Sequence, residues 1–163
     1  MRKKLFALVI AAGLSSTALA SSASAGGNGA VILRADLSGN EEVPPVETDT
    51  SGTAKFRVNP NSDEINFQLK VKNGVDLLAV AGAHIHCAPA GMNGPVVAFL
   101  AQPTPGGVDG KLKVSGSIGD DDIINDACGA TVDELVDSME AGQAYVNVHS
   151  SANPAGEVRG QIG

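Results

Sequence analysis

Three histidines are the residues of this chain whose type and spacing best suit metal binding. His84 and His86 flank Ile85, and His149 follows Asn147 and Val148. Both runs alternate polar and apolar residues, so in β-strands the side chains two apart project to one face. If the two strands are neighbours in a sheet, three imidazoles meet on one patch. Three histidines with an open fourth position suit zinc or copper(II), so we predict a copper or zinc site at His84, His86 and His149.

A structural role is the alternative for these histidines, because their rings can hydrogen-bond to loop backbones without any ion. The metal hypothesis is favoured because all three histidines of the chain lie opposite aliphatic residues in strands that can pair. Two other residues are candidates for supporting roles. Asn147 shares the face of His149 and could orient a ligand or hold a turn. Arg159 could guide an anion to the metal or pair with Glu157.

The first residues are typical of a cleaved secretory signal. Arg2, Lys3 and Lys4 precede an apolar run over residues 5–14, and small residues follow up to Ala25. The apolar run is too short to span a membrane, and no later run is long enough. We predict a signal peptide over residues 1–25, a single domain over residues 26–163, and a periplasmic or extracellular location.

Cys87 and Cys128 are the two cysteines of the chain. In an oxidising compartment, an even number of cysteines is typical of disulfide bonds, so we predict a Cys87–Cys128 disulfide. Copper ligation by Cys87, which directly follows His86, is the alternative. The disulfide is favoured because the alternation directs the Cys87 sulfur away from the histidines.

The charge of the mature chain argues against two classes of partner. Three of the 11 lysines and arginines lie in the predicted signal, which leaves 8 against 18 acidic residues and a net charge of −10. Such a surface repels nucleic acid and anionic lipid. The chain also has no nucleophile beside a base in a recognisable frame and no glycine-rich phosphate loop. Hydrolase and nucleotide-binding chemistry therefore have no residues to support them.

Short alternating runs between turn residues predict an all-β fold. Residues 65–72 are the clearest run, with one apolar and one polar face, which is typical of an antiparallel sheet. One helix is predicted after the acidic residues 120–122, where Thr131 and Glu134 form a capping box. We predict about eight antiparallel strands in a β-sandwich or flattened Greek-key barrel, with one short helix before the penultimate strand. The predicted strands lie near residues 31–37, 54–58, 65–72, 78–87, 96–101, 111–118, 143–150 and 157–162.

Three ordered motifs make the chain similar to a known family. They are Asn40-Glu41-Glu42-Val43-Pro44-Pro45-Val46, then His84-Ile85-His86 with Gly91-Met92-Asn93-Gly94-Pro95, and Tyr145-Val146-Asn147-Val148-His149 with Gly156-Glu157-Val158-Arg159-Gly160-Gln161-Ile162. Over residues 30–162 the chain resembles the CHRD domain, a module named from the animal antagonist chordin and also found in exported bacterial proteins. The resemblance implies a fold more than an activity. Cys87 and the acidic insert that ends at Cys128 depart from the family pattern and fit an added disulfide.

A second, local resemblance is to copper/zinc superoxide dismutase. In that enzyme a His-x-His strand, a histidine on a late strand and an arginine near the end occur together, as His84, His86, His149 and Arg159 do here. The enzyme also needs a histidine that bridges copper to zinc. This chain has no histidine left for that position, so the resemblance covers only these motifs.

The residues support three hypotheses for function. The first is an exported, non-catalytic module that binds copper or zinc through the three histidines. The second is an extracellular structural or adhesion β-sandwich that binds a protein or a glycan, in which the histidines serve folding. The third is an enzyme that resembles a superoxide dismutase with a single copper. It ranks last because the bridging histidine is missing.

Overall fold

A computed structural model describes residues 29–59 and 63–163 of the chain. The predicted signal peptide lies outside these residues, as does part of the turn between the second and third strands. No helix in the described part has the length and apolar character needed to cross a bilayer.

The described chain folds into eight strands and one α-helix. The strands are β1 (Val31–Ser38), β2 (Ser51–Val58), β3 (Ile65–Leu77), β4 (Ala83–Cys87), β5 (Val96–Ala101), β6 (Val108–Ile118), β7 (Ala144–Val148) and β8 (Val158–Gln161). The helix α1 (Val132–Glu140) precedes β7, and short 3-10 turns occupy Gly39–Glu41, Asp120–Asp122 and Asp126–Cys128. The predicted all-β fold with one late helix is therefore confirmed.

All eight strands form one antiparallel sheet in the order β5-β4-β7-β8-β1-β2-β3-β6. The sheet curls into a nearly closed barrel, in which the end strands β5 and β6 come into contact. Its two halves, β5-β4-β7-β8 and β1-β2-β3-β6, meet where Ser38 of β1 faces Arg159 of β8. This is the one registered pair between β1 and β8, whereas β1 and β2 share eight.

The inner face of the sheet encloses a single apolar core. Along β2, Phe56 is fully buried while Lys55 and Arg57 on either side of it are exposed. The helix α1 buries Leu135 and Met139 against the same core. Because burial of one such side chain stabilises a fold by about 1.5–3 kcal/mol, this alternation determines which face of each strand turns inward.

Several strand boundaries differ from the prediction: β2 and β6 begin three residues earlier, at Ser51 and Val108, and β7 ends two residues earlier, at Val148. β3 continues past residue 72 to Leu77, and β4 begins at Ala83 instead of residue 78. The chain bends between them because Asp76 and Leu78 have positive φ angles of 49° and 65°. A left-handed backbone is uncommon in such residues, so alternation alone could not predict the bend.

The N-terminus of α1 is capped close to the predicted position. The Thr131 hydroxyl accepts from the Glu134 backbone N–H at 3.3 Å, as predicted. The Glu134 carboxylate accepts from the N–H of Ala130 at 2.7 Å, one residue before the predicted partner. Asp120 accepts from the N–H of Val132 at 2.7 Å, so the acidic turn also helps to start the helix.

A disulfide joins Cys87 at the end of β4 to Cys128 before α1, with Cα atoms 5.5 Å apart. The pairing is the predicted one, and it leaves the Cys87 sulfur unavailable as a copper ligand. The bridge attaches the acidic insert to the strand that carries His84 and His86.

Candidate metal centre

Strands β4 and β7 are neighbours, which places the three histidines on one patch. In their antiparallel register His84 faces Asn147, and His86 faces Tyr145. His149 follows directly after the last residue of β7. The metal hypothesis required this pairing, which the sequence alone could only assume.

The histidines lie on the outer face of the sheet, beneath two loops. Ile85 and Val148, which alternate with them, point into the core and are fully buried. The loops over residues 39–50 and 88–95 cover the opposite face, and Asn93 joins them by donating to the Val43 carbonyl at 2.9 Å. The cover leaves His84, His86 and His149 only 5%, 9% and 6% exposed.

One ring nitrogen of each histidine points into a common space. The three candidate ligand atoms all lie within 4.8 Å of one another. His84 Nδ1 and His149 Nε2 are 3.2 Å apart, and the ring centroids of the three histidines are separated by 5.0 to 6.3 Å. A single ion could therefore contact all three rings.

Hydrogen bonds on the far side of two rings determine which nitrogen can bind an ion. His86 Nδ1 donates to the Gly94 carbonyl at 2.9 Å, and His149 Nδ1 donates to the Pro154 carbonyl at 3.0 Å. A neutral imidazole that donates through Nδ1 carries its lone pair on Nε2. Metal-bound histidines commonly use their second nitrogen in this way. Both Nε2 atoms are therefore oriented as ligands.

The Nε2 atom of His86 is buried and has no hydrogen-bond partner. A buried acceptor without a partner costs about 1–3 kcal/mol, so a group of this kind calls for an explanation. A cation in the space between the rings would satisfy the lone pair.

The His84 ring is held by contacts on several sides. The Phe99 ring packs edge-on against it with centroids 4.6 Å apart, and the backbone of Ala81 hydrogen-bonds to it. If His84 Nε2 donates to Ala81, Nδ1 keeps a lone pair that faces His149. All three rings would then pair one nitrogen with a backbone carbonyl and turn the other towards the shared space.

Burial lowers the pKa of all three histidines. Loss of solvent, together with His149 and His86, lowers the pKa of His84 from 6.5 to about 4. Loss of solvent also lowers the pKa of His86 and of His149, although their bonds to Gly94 and Pro154 act in the opposite direction. The rings are therefore neutral at pH 7, which is the form of imidazole that binds metals.

Arg159 lies beside this centre, but its guanidinium is directed at a loop. The side chain is 1% exposed and donates to the Met92 carbonyl at 2.8 Å, the Pro89 carbonyl at 3.4 Å and Asn93 Oδ1 at 3.2 Å. Its Cζ atom lies 3.4 Å from the centroid of the Tyr145 ring. These contacts hold the loop over residues 88–95. The predicted role of Arg159 in guiding an anion stays a prediction.

Tyr145 connects Arg159 to the histidines. Its ring stacks on His86, with centroids 4.8 Å apart and planes 14° from parallel. Its hydroxyl accepts from the Gly94 backbone N–H at 3.3 Å. Sequence reasoning assigned no role to Tyr145, although its spacing from Asn147 places it on the histidine face.

Asn147 lies on the histidine face, but its amide contacts Glu42 in the loop over residues 39–50. The Asn147 amide donates to Glu42 Oε2 at 3.4 Å, and Glu42 Oε1 has no hydrogen-bond partner. Burial raises the pKa of Glu42 to about 7, although Arg159 and Asn147 act to lower it. Sequence reasoning missed a role for Glu42, and its place in the first family motif was the available signal. No hydrogen bond joins Asn147 to a histidine, so its predicted role as a ligand support stays a prediction.

Glu157 anchors the same loop through hydroxyl and amide groups. Its carboxylate accepts from Thr48, from Ser150 at 2.8 Å and from Asn153. Burial acts to raise the pKa of Glu157, but these hydrogen bonds together lower it. Glu157 therefore carries its charge at neutral pH and fastens the loop next to the centre.

The chemistry of the donor set limits the ions that the centre suits. Among the described residues, the group that could hold a metal consists of three histidines and no carboxylate. Calcium and magnesium prefer oxygen ligands, whereas imidazole suits copper, zinc, nickel and iron. The arrangement can therefore hold a transition-metal ion.

The fold and the motifs agree with the comparison to known proteins. No curated protein and no solved structure matches this chain. The CHRD domain matches residues 33–162, which include every strand from β2 to β8 and all three histidines. This protein is a member of the CHRD domain family.

Proposed function

We propose that this protein binds one divalent transition-metal ion, copper(II) or zinc(II), through His84, His86 and His149. The observation that carries the proposal is the Nε2 atom of His86, which is buried and has no hydrogen-bond partner. The ligand atoms of His84 and His149 lie close enough to bind the same ion. A bound ion would satisfy that atom and would draw on the lone pairs of the other two rings.

Distances within the group favour a tetrahedral ion. With metal–nitrogen bonds of about 2.0–2.1 Å, two ligands of a tetrahedral ion lie about 3.3 Å apart. The separation between His84 Nδ1 and His149 Nε2 is 3.2 Å. The group extends to 4.8 Å at most, so one ring has to move inward when the ion binds. Three protein ligands leave the fourth position to water or another small ligand.

We infer that the protein is an exported metal-binding module without catalytic activity. The Cys87–Cys128 disulfide supports an oxidising compartment, periplasmic or extracellular. Residues 1–25 would be the cleaved signal, and residues 26–163 the single mature domain. In the described chain, the group of three histidines includes no cysteine and no carboxylate, which supports binding over turnover.

Titration of the metal-free mature protein with Cu(II) and with Zn(II), followed by calorimetry, tests the proposal. We expect one equivalent to bind with a dissociation constant below about 1 μM. His86→Ala and His149→Ala should each abolish this binding. Ile32→Ala is the control, because Ile32 is partly exposed on the outer face of β1, outside the histidine group, and offers no ligand.

Thermal unfolding separates a metal site from a purely structural histidine cluster. If the rings are ligands, excess metal should raise the Tm of the wild type and leave that of His86→Ala unchanged. Weaker binding than about 1 μM, or binding that survives both alanine substitutions, would overturn the proposal.

A further inference from the structure

Seven cationic side chains project from the outer face of β1, β2, β3 and β6. These side chains, here named the basic face, are Arg34, Lys55, Arg57, Lys70, Lys72, Lys111 and Lys113. The described residues contain one further cation, the buried Arg159. Every solvent-exposed cation of the described chain therefore lies on one half of the sheet, although acidic residues outnumber basic ones.

The strand register places like charges directly opposite each other on this face. Arg34 faces Lys55 across β1 and β2, and Lys70 faces Lys113 across β3 and β6. Like charges in such positions destabilise a sheet. A fold that keeps seven cations on this face, where Asp36 is an exposed acid of β1, presents a surface suited to an anion.

Four of the lysines surround a groove of about 610 Å³. Lys70, Lys72, Lys111 and Lys113 line it together with the hydroxyls of Ser51 and Thr53, and Asp36 is the only acid in its lining. A second depression of about 550 Å³ lies on the same face, with hydroxyl and amide side chains beside Lys55 and Arg57. Cations therefore alternate with groups that can hydrogen-bond to hydroxyls.

We propose that the basic face binds a linear acidic polysaccharide that carries a carboxylate on most of its sugar units. Side chains that face each other on neighbouring strands are about 5 Å apart, and side chains two residues apart on one strand are about 7 Å apart. The cations therefore form rows whose spacing is similar to the length of one sugar unit. Their ammonium and guanidinium groups would pair with the carboxylates, and the serine and threonine hydroxyls with the sugar hydroxyls.

The chemistry of the face favours a polysaccharide over a nucleic acid. None of the described residues that project outward from the strands of the basic face is aromatic. Single-stranded nucleic acids bind largely by stacking on aromatic rings, so this face lacks their usual platform. The basic face also belongs to the other half of the sheet from the three histidines, so its binding should not depend on metal.

Binding of polygalacturonate to the mature protein, measured by calorimetry in low salt with EDTA present, tests the inference. We expect Lys70→Gln/Lys113→Gln to raise the dissociation constant about tenfold. Gln102→Glu/Thr104→Glu is the matched control, because it changes the net charge equally at exposed positions outside the basic face. This control should change the dissociation constant less than about twofold, and a tenfold rise in salt should weaken the wild-type complex.

A melt without polysaccharide shows that the lysine variant is folded, because the loss of like-charge repulsion should leave its Tm at or above that of the wild type.

Neutral dextran should not bind. The inference is overturned if polygalacturonate does not bind, or if both double variants weaken binding equally. It is also overturned if single-stranded DNA or phosphatidylglycerol vesicles bind more tightly than polygalacturonate. Sedimentation that shows self-association lost in the lysine variant would instead assign the face to a second copy of the chain.

Discussion

His86 is held in place by neighbours that are not themselves ligands. The Gly94 carbonyl accepts its Nδ1 proton, and Tyr145 stacks on its ring. Arg159 packs on Tyr145 in turn. A ligand that is fixed in this way has less freedom to lose when an ion binds, so the residues around it contribute to affinity.

Tyr145→Leu should weaken metal binding about 10- to 100-fold, because the substitution removes the ring that orients His86. Tyr145→Phe keeps the ring and loses only the contact of the hydroxyl with Gly94, so its affinity should stay within a few fold of the wild type. Titration with Zn(II) measures both. A leucine variant that binds as tightly as the wild type would show that the stack does not support the centre.

Glu42 should make the protein less stable as pH rises towards neutrality. Its pKa is about 7 in the folded state, against 4.5 for a free carboxyl. The unfolded chain therefore ionises first, so the stability that Glu42 provides is complete below about pH 4.5 and is lost as pH rises through 7. The glutamine of Glu42→Gln does not titrate. The free energy of unfolding of this variant, relative to that of the wild type, should therefore rise by on the order of 2 kcal/mol from pH 4 to pH 8. Urea unfolding at both pH values measures the difference, and an equal effect of the substitution at both would refute the shift.

At the scale of elements, β8 and the residue directly before it supply side chains that hold both covering loops. Arg159 donates to the loop over residues 88–95, and Glu157 accepts from Thr48 in the loop over residues 39–50. Asn93 joins one loop to the other. These loops have no strand pairing with β7, so their position over the histidines depends on such side-chain contacts, to which Tyr145 and Asn147 of β7 also contribute.

Arg159→Met should lower the free energy of unfolding by about 3 kcal/mol, because it leaves the loop carbonyls unpaired and removes the cation that interacts with the buried Glu42. Arg57→Met is the matched control, since Arg57 is exposed. It should change the free energy of unfolding by no more than about 0.5 kcal/mol. Urea unfolding of the metal-free proteins gives both values, and similar losses in the two variants would contradict the anchoring role of Arg159.

At the scale of the whole molecule, the three histidines oppose Glu42 in their effect on pH stability. Burial lowers the pKa of each histidine, so the stability that they provide is complete above about pH 6.5 and is lost as pH falls through their folded pKa values, about 4 for His84. Without metal, the wild type should therefore lose stability as pH falls below 6.5. His84→Asn should lose less stability over the same range, because it lacks one of the titrating rings. Melts from pH 4 to pH 8 in EDTA measure this, and parallel curves for the two proteins would contradict it.

The alternation of residues was enough to predict the strands and the face of each histidine, because side chains two apart share a face whatever strand lies alongside. The convergence of His149 with His84 and His86 depended on β4 pairing with β7, which no local pattern specifies. The roles of Tyr145 and Glu42 were missed for the same reason. Their contacts run between strands and loops that are distant in sequence, and loops have no periodicity from which to predict them.

The junction between β1 and β8 has a consequence for how long an ion would stay bound. Ser38 and Arg159 are the one registered pair there, and Arg34 bonds to Gly163 just beyond β8, so among the paired strands of the sheet this junction should open most readily. Opening would draw the loop over residues 39–50, which follows β1, away from Asn147 and Glu157 and would uncover the histidines. We therefore expect the residence time of a bound ion to depend on how often β1 and β8 separate. Hydrogen exchange of the β8 amides should become slower when metal is added.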